Sequence, residues 1–171
     1  MVNAYFPTLG VDMSAWPRPT TADIAIRAFA STPQELMVEA ALGMQDIIAS
    51  SRGIISARNA IRQTGIWEIQ HPKGETNDRI LVKFLEEILY RCEVEDQWFV
   101  AGQVMLGESM LSVQASWVEE SAVEREVEIK AVTRHELCFE QLSKGMSLPS
   151  SWSEVPEFLG PGWYCDVVFD I

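Results

Sequence analysis

Apolar residues recur along this chain with two different periods, and the changes of period mark its elements. In the run TADIAIRAFA, residues 21–30, Ile24, Ile26 and Ala28 fall on one phase and Asp23, Arg27 and Phe29 on the other, which predicts a strand. The spacing then lengthens. Leu36, Met37, Ala40, Ala41, Met44, Ile47 and Ile48 recur in three- and four-residue steps and predict a helix near 33–50. Its start is set by Thr32 as N-cap, Pro33 at the first helical position and Glu35 three residues after the cap. A second amphipathic helix follows the cap cluster Thr76-Asn77-Asp78. It carries Ile80, Leu81, Phe84, Leu85, Ile88 and Leu89, ends near Glu93, and turns Lys83, Glu86 and Glu87 outward. Between the two helices no period dominates. Gly53, Gly65 and His71-Pro72-Lys73-Gly74 read as breaks, with a short strand at 66–70.

Beyond the second helix the period returns to two. Residues 98–106, a turn at Gly107-Glu108-Ser109 and residues 110–118 predict a hairpin, in which Leu111, Val113, Ala115 and Trp117 alternate with Ser112, Gln114 and Ser116. The run 126–140 alternates Val127, Ile129, Ala131, Thr133, His135, Leu137 and Phe139 with charged residues and predicts one long strand. A Gly/Pro/Ser-rich connection over 143–162 leads to a closing strand, where Trp163, Cys165, Val167, Phe169 and Ile171 share a face. Residues 1–20 hold Pro7, Pro17 and Pro19 and show no period, so they read as an irregular leader packing through Phe6 and Trp16. The expected architecture is α+β: one domain over 21–171, with two main helices packed on a largely antiparallel sheet.

Composition narrows the function classes. The chain has 171 residues, with 25 Asp+Glu against 13 Lys+Arg, a net charge of −12. So acidic a surface repels phosphate backbones and offers no basic stripe, which argues against direct nucleic-acid binding and for a basic protein or a cation as partner. An apolar run of the roughly 20 residues a membrane helix needs is absent, as is a secretory signal, so a cytoplasmic protein without membrane contact is expected. Cys92, Cys138 and Cys165 lie far apart with no CxxC pair, which argues for reduced thiols and against a zinc site.

Candidate chemistry is sparse. There is no P-loop, GxGxxG, GxSxG, HExxH or EF-hand spacing. His71, before a proline, reads as a solvated turn residue. His135 shares a phase with Ile129 and Leu137 and reads as a buried core histidine. The carboxylates offer more. Asp23 lies out of phase with the apolar residues of the first strand, and Asp170 is followed only by Ile171, whose α-carboxylate adds a second anion beside it. Clustered anions need a neutralising partner, and a hard divalent cation with oxygen ligands suits them. Spacing alone leaves these groups equally readable as solvated surface charges. Asp166 is a poorer co-ligand of Asp170, since four residues along a strand span about 13 Å.

Several segments, taken in order, point to a family. Thr20-Thr21-Ala22-Asp23, Thr32-Pro33-Gln34-Glu35-Leu36 with Ala40-Ala41, the helix Leu81–Tyr90, Glu128–His135 and the terminal Val167-Val168-Phe169-Asp170-Ile171 together resemble the archease family, from about Pro19 onward. The resemblance implies an α+β fold of strand-helix-strand-strand modules. It implies a divalent cation, calcium in the family, on Asp23, Asp170 and the carboxylate of Ile171, with magnesium and manganese suited to the same oxygens. It then requires the first and last strands to lie side by side. It also implies a protein without turnover of its own that activates a GTP- and manganese-dependent RNA-splicing ligase, promoting its guanylylation and multiple turnover in tRNA splicing. Two other roles remain open: a chaperone-like modulator of a tRNA methyltransferase, and a metal-dependent hydrolase using Asp23 and Asp170. Thr20 stands where the family has His. Lys83 and Glu86 replace an Asp and an Asn, and the 143–162 connection is longer than the resemblance leads one to expect.

Overall fold

The computed structural model of the chain describes residues 14–20 and 23–171. Phe6 and most of the expected leader, together with Thr21 and Ala22 of the first predicted strand, lie outside the described residues. Residues 15–18, expected as irregular chain, instead form strand β1 (Ala15–Arg18), paired antiparallel with β2 (Ile24–Ala30). Trp16 uses its ring as expected of a packing residue, 5.4 Å from that of Phe29. Helix α1 (Pro33–Ile48) begins where the cap residues place it, with the Glu35 N–H donating to the Thr32 hydroxyl at 3.2 Å.

The ambiguous stretch resolves into two elements. Ser50 caps a short helix, α2 (Ser51–Asn59), by accepting from the Gly53 N–H, and β3 (Gln63–Gln70) follows it. Gly53 reads as a breaker in sequence yet lies inside the helix for a packing reason: a Cβ there would sit 2.2 Å from the Glu124 carbonyl oxygen. Helix α3 (Asn77–Val94) matches the second apolar stripe, with Ile80, Leu81, Phe84, Leu85 and Ile88 buried. Glu86 is exposed, while Lys83 and Glu87 are only half turned outward. Strands β4 (Gln97–Leu106) and β5 (Met110–Glu119) make the predicted hairpin, with a register irregularity between Phe99 and Ala101.

The long strand expected over 126–140 does not form. Only β6 (Ala131–Val132) and β7 (Cys138–Leu142) are extended and paired, and the chain between them turns at Glu136, whose φ is 51°. Its alternation is genuine, but both pieces pair with different parts of the same neighbour, and the intervening residues form the bend between them. Two short strands, β8 (Ser147–Leu148) and β9 (Phe158–Leu159), join the ends of the 143–162 connection, and β10 (Gly162–Asp170) closes the chain.

The main sheet runs β1-β2-β10-β6, with β7 also on β10, and a second sheet runs β3-β5-β4. Helix α1 packs on β2 and β10 of the first sheet and on β4 of the second, while α3 packs on β3 and β4 of the second and on β6 and β7 of the first. The helices thus form the layer that both sheets share. Into it β10 points Cys165, Val167 and Phe169, all fully buried beside Leu36, Met37 and Met44 of α1. Fully burying one large apolar side chain of this kind contributes about 1.5–3 kcal/mol. We predict that Gly53→Ala costs about 1–3 kcal/mol, because the new methyl meets rigid backbone rather than a flexible side chain; urea unfolding checks this.

Candidate functional site

The antiparallel pairing of β2 with β10 runs from Trp163 opposite Ala30 to Phe169 opposite Ile24. Asp23 precedes the last pair and Asp170 follows it, so the same register sets these two carboxylate-bearing residues at facing positions. Asp170 is fixed from its other side, opposite Ala131 of β6 and with its carbonyl accepting the Lys130 N–H at 2.8 Å. Asp23 is held by Thr20, whose hydroxyl accepts the Asp23 N–H at 3.1 Å and donates to the Asp23 carbonyl. Asp23, Asp170 and Ile171 are all exposed. The first and last predicted strands therefore lie side by side, and their register sets the two aspartates at facing positions at one open sheet end. Among the described residues, no three His, Cys, Asp or Glu side chains gather as a metal cluster; Asp23 and Asp170 contribute two, and the third donor the resemblance implies is a main-chain carboxylate.

Farther along the same face, strand alternation places Arg27 and Asp166 two rows inward, beyond Ala25 and Val168. Sequence reasoning set Asp166 aside as a co-ligand and gave it no other role. The structure gives it one. Arg27 donates to it twice, Nε to Oδ1 at 2.8 Å and Nη2 to Oδ2 at 2.6 Å, with both side chains about nine-tenths buried. The hydrogen bond and charge of Asp166 hold the Arg27 guanidinium protonated against its burial. Arg18 of β1 is buried beside them and donates through Nη2 to Glu136 Oε2 at 2.7 Å, which keeps the Glu136 carboxyl below its usual range. Their signal in the sequence was one charged residue inside each of two otherwise apolar strands.

The histidines exchange the environments expected of them. His71 is buried, with Nδ1 3.0 Å from the Pro72 carbonyl. His135 is 74% exposed on the turn between β6 and β7, with Nε2 3.6 Å from Glu136. The periodic reading failed for His135 because its strand is broken by that turn. Burial pushes the Cys92 and Cys138 thiols up to about 12 and raises Cys165 further, and all three cysteines are free. A cleft of about 550 Å³ opens between the first turn of α3 and β7, with Cys138 on its wall.

A model of the Archease protein family matches residues 17–171. The chain belongs to the archease family. Protein archease of Pyrococcus furiosus is 29% identical over 131 residues, covering 73% of this chain and 87% of that relative. The solution structure of Methanobacterium thermoautotrophicum protein 1598 matches with a TM-score of 0.57 at 18% identity, over 93% of this chain and 99% of that one. A crystal structure of an archease from Thermotoga maritima, described as a possible chaperone, has a TM-score of 0.49 at 18% identity, over 91% of this chain and 95% of that one. The archease fold expected from the sequence is thus shared, and β1 begins just ahead of the family match. No helix among the described residues is long and apolar enough to cross a membrane.

Two outcomes follow for the buried polar groups of this archease. Asp166→Ala leaves a buried guanidinium without its carboxylate and is expected to cost about 3–5 kcal/mol in urea unfolding. At pH 8 the raised thiols stay protonated, so Cys92 and Cys165 resist dithionitrobenzoate in the native protein, and all three cysteines react in urea.

Proposed function

We propose that this chain is a non-catalytic protein cofactor of a GTP- and manganese-dependent RNA-splicing ligase, acting in tRNA splicing by promoting guanylylation of the ligase and its multiple turnover. The observation that carries this reading is the placement of Asp23 opposite Asp170 at the open end of the β2–β10 pair. Two facing carboxylates, with the main-chain carboxylate of Ile171 beside them, form an all-oxygen donor set of the kind that hard cations take. Asp23, Asp170 and Ile171 would hold the ion, calcium or one of its oxygen-seeking relatives. Once bound, the ion supplies fixed positive charge that can meet phosphate or carboxylate oxygens.

What the chain itself contributes is position and charge. Thr20 fixes the Asp23 backbone from one side, and the Lys130 amide fixes the Asp170 backbone from the other, so the main chain that carries the two carboxylates is held before an ion arrives. The chain as a whole carries a net charge of −12. So acidic a chain is drawn to the basic mouth of an enzyme built for nucleotide and RNA phosphates, which raises the rate and orientation of encounter more than it raises affinity. Stimulation requires that the cofactor bind the active state of the ligase better than the idle one.

Asp23→Asn and Asp170→Asn are each expected to lower calcium affinity by about tenfold or more, followed by calorimetry, and to remove stimulation of guanylylation by the cognate ligase. Unchanged stimulation in both variants, or none by the unaltered protein at any salt concentration, overturns the reading.

A further inference from the structure

The connection from Ser143 to Pro161 lies over the outer face of the main sheet and is attached to it by side chains. Trp152 covers the guanidinium groups of Arg18 and Arg27, each 4.9 Å from the ring centroid. Phe158 stacks on Phe29 at 4.5 Å, and Val155 is buried. Gly162 makes room for that stack, since a Cβ there would fall 2.6 Å from the Phe158 ring. The hydrogen bonds of the connection stay within it. The Val155 N–H donates to the Trp152 carbonyl, and the Trp152 N–H to the Ser150 hydroxyl. Its two ends are joined to each other by the β8–β9 pair and by the Gly160 N–H donating to the Met146 carbonyl. Among the described residues, no backbone hydrogen bond ties 149–157 to the sheet. A loop closed at its neck and held down by side chains can lift as one piece.

Beneath Trp152, donors outnumber acceptors. Each guanidinium carries five N–H groups. Asp166 takes two from Arg27, and Glu136 takes one from Arg18. Arg18 Nε is buried without a hydrogen-bond partner, its nearest carboxylate oxygen, Asp166 Oδ1, lying 3.7 Å away. The Arg18 side chain is only 4% exposed, whereas that of Glu136 is 54% exposed. Glu136 can therefore turn to water, leaving an arginine edge with two adjacent donors of the kind that grip an oxyanion bidentately.

We propose that residues 143–161 form a lid latched by Trp152, and that the Arg18 edge beneath it is a binding site for a small phosphate-type oxyanion, which displaces Glu136. The ligand is a small ion because its roof is one indole and the surrounding acidic surface repels a polyanion. The site is separate from the acidic end of the sheet: Asp166 and Asp170 stand about 13 Å apart along β10. It holds or falls independently of the cation reading.

The test uses the full chain, freed of metal, with pyrophosphate as probe and a glutamate-specific protease that cuts the lid at Glu154 and Glu157. Trp152→Ala is expected to be cut about tenfold faster than the unaltered chain and to bind pyrophosphate about tenfold more tightly by calorimetry, with its melting midpoint lowered by less than about 4 °C. Trp152→Phe, which keeps an aromatic face, stays near the unaltered behaviour, and adding Arg18→Ala to Trp152→Ala removes the binding. An unchanged cutting rate, cutting that merely tracks unfolding of the whole chain, or equal pyrophosphate binding with and without Arg18 overturns the proposal. Should Trp152→Ala fail to fold, Glu136→Gln decides: tighter pyrophosphate binding than the unaltered chain supports the site, and no gain overturns it.

Discussion

The antiparallel pairing of β2 with β10 is the constraint on which the rest of this molecule depends. It joins the first long strand to the last over seven registered positions, and both faces of the resulting ribbon are used. One face presents Ile26, Ala28, Cys165, Val167 and Phe169 to the helices. The other carries Arg27 and Asp166 and then, at its open end, Asp23 and Asp170. Because side chains alternate with a period of two, a slip of one position would exchange the two faces, driving charges into the helical layer and apolar residues under the connection. The apolar core therefore fixes the register, and the register fixes which carboxylates meet.

Seen this way, the buried Arg27–Asp166 pair and the exposed Asp23–Asp170 pair are successive uses of one geometry. Where the face is covered, an acid is matched with a guanidinium, since an unpaired buried charge is costly. Where the cover ends, two acids stand together with water around them. The boundary falls between the buried row of Ala25 and Val168 and the exposed row of Asp23 and Asp170.

Local and long-range information were unequally legible in the sequence. Both long helices could be read from apolar stripes and caps, because Thr32, Pro33 and the steps from Leu36 to Ile48 act within a few residues of each other. The β4–β5 hairpin was equally readable, its turn and alternation being adjacent. The adjacency of β2 and β10 came from resemblance rather than from periodicity, which carries no information about which strands become neighbours. Helix α2 was hidden because Gly53 signals a break on its own, and only the Glu124 backbone explains its presence. The 126–140 run was misjudged because alternation continues through a turn that Glu136 makes with a positive φ. The grouping of Arg18, Arg27 and Asp166 was not legible for a related reason: each looks ordinary beside its sequence neighbours, and their meeting depends on a sheet that unites distant segments.

The partners Arg27 and Asp166 are separated by 139 positions. During synthesis β2 must therefore wait, lacking its inner neighbour, until the residues up to β10 have left the ribosome. The β4–β5 hairpin and the helices can organise from local contacts in that interval, whereas the main sheet can close only once β10 has emerged. Emerging chains of this protein thus carry an unfinished sheet edge until β10 is made, and that strand seals it.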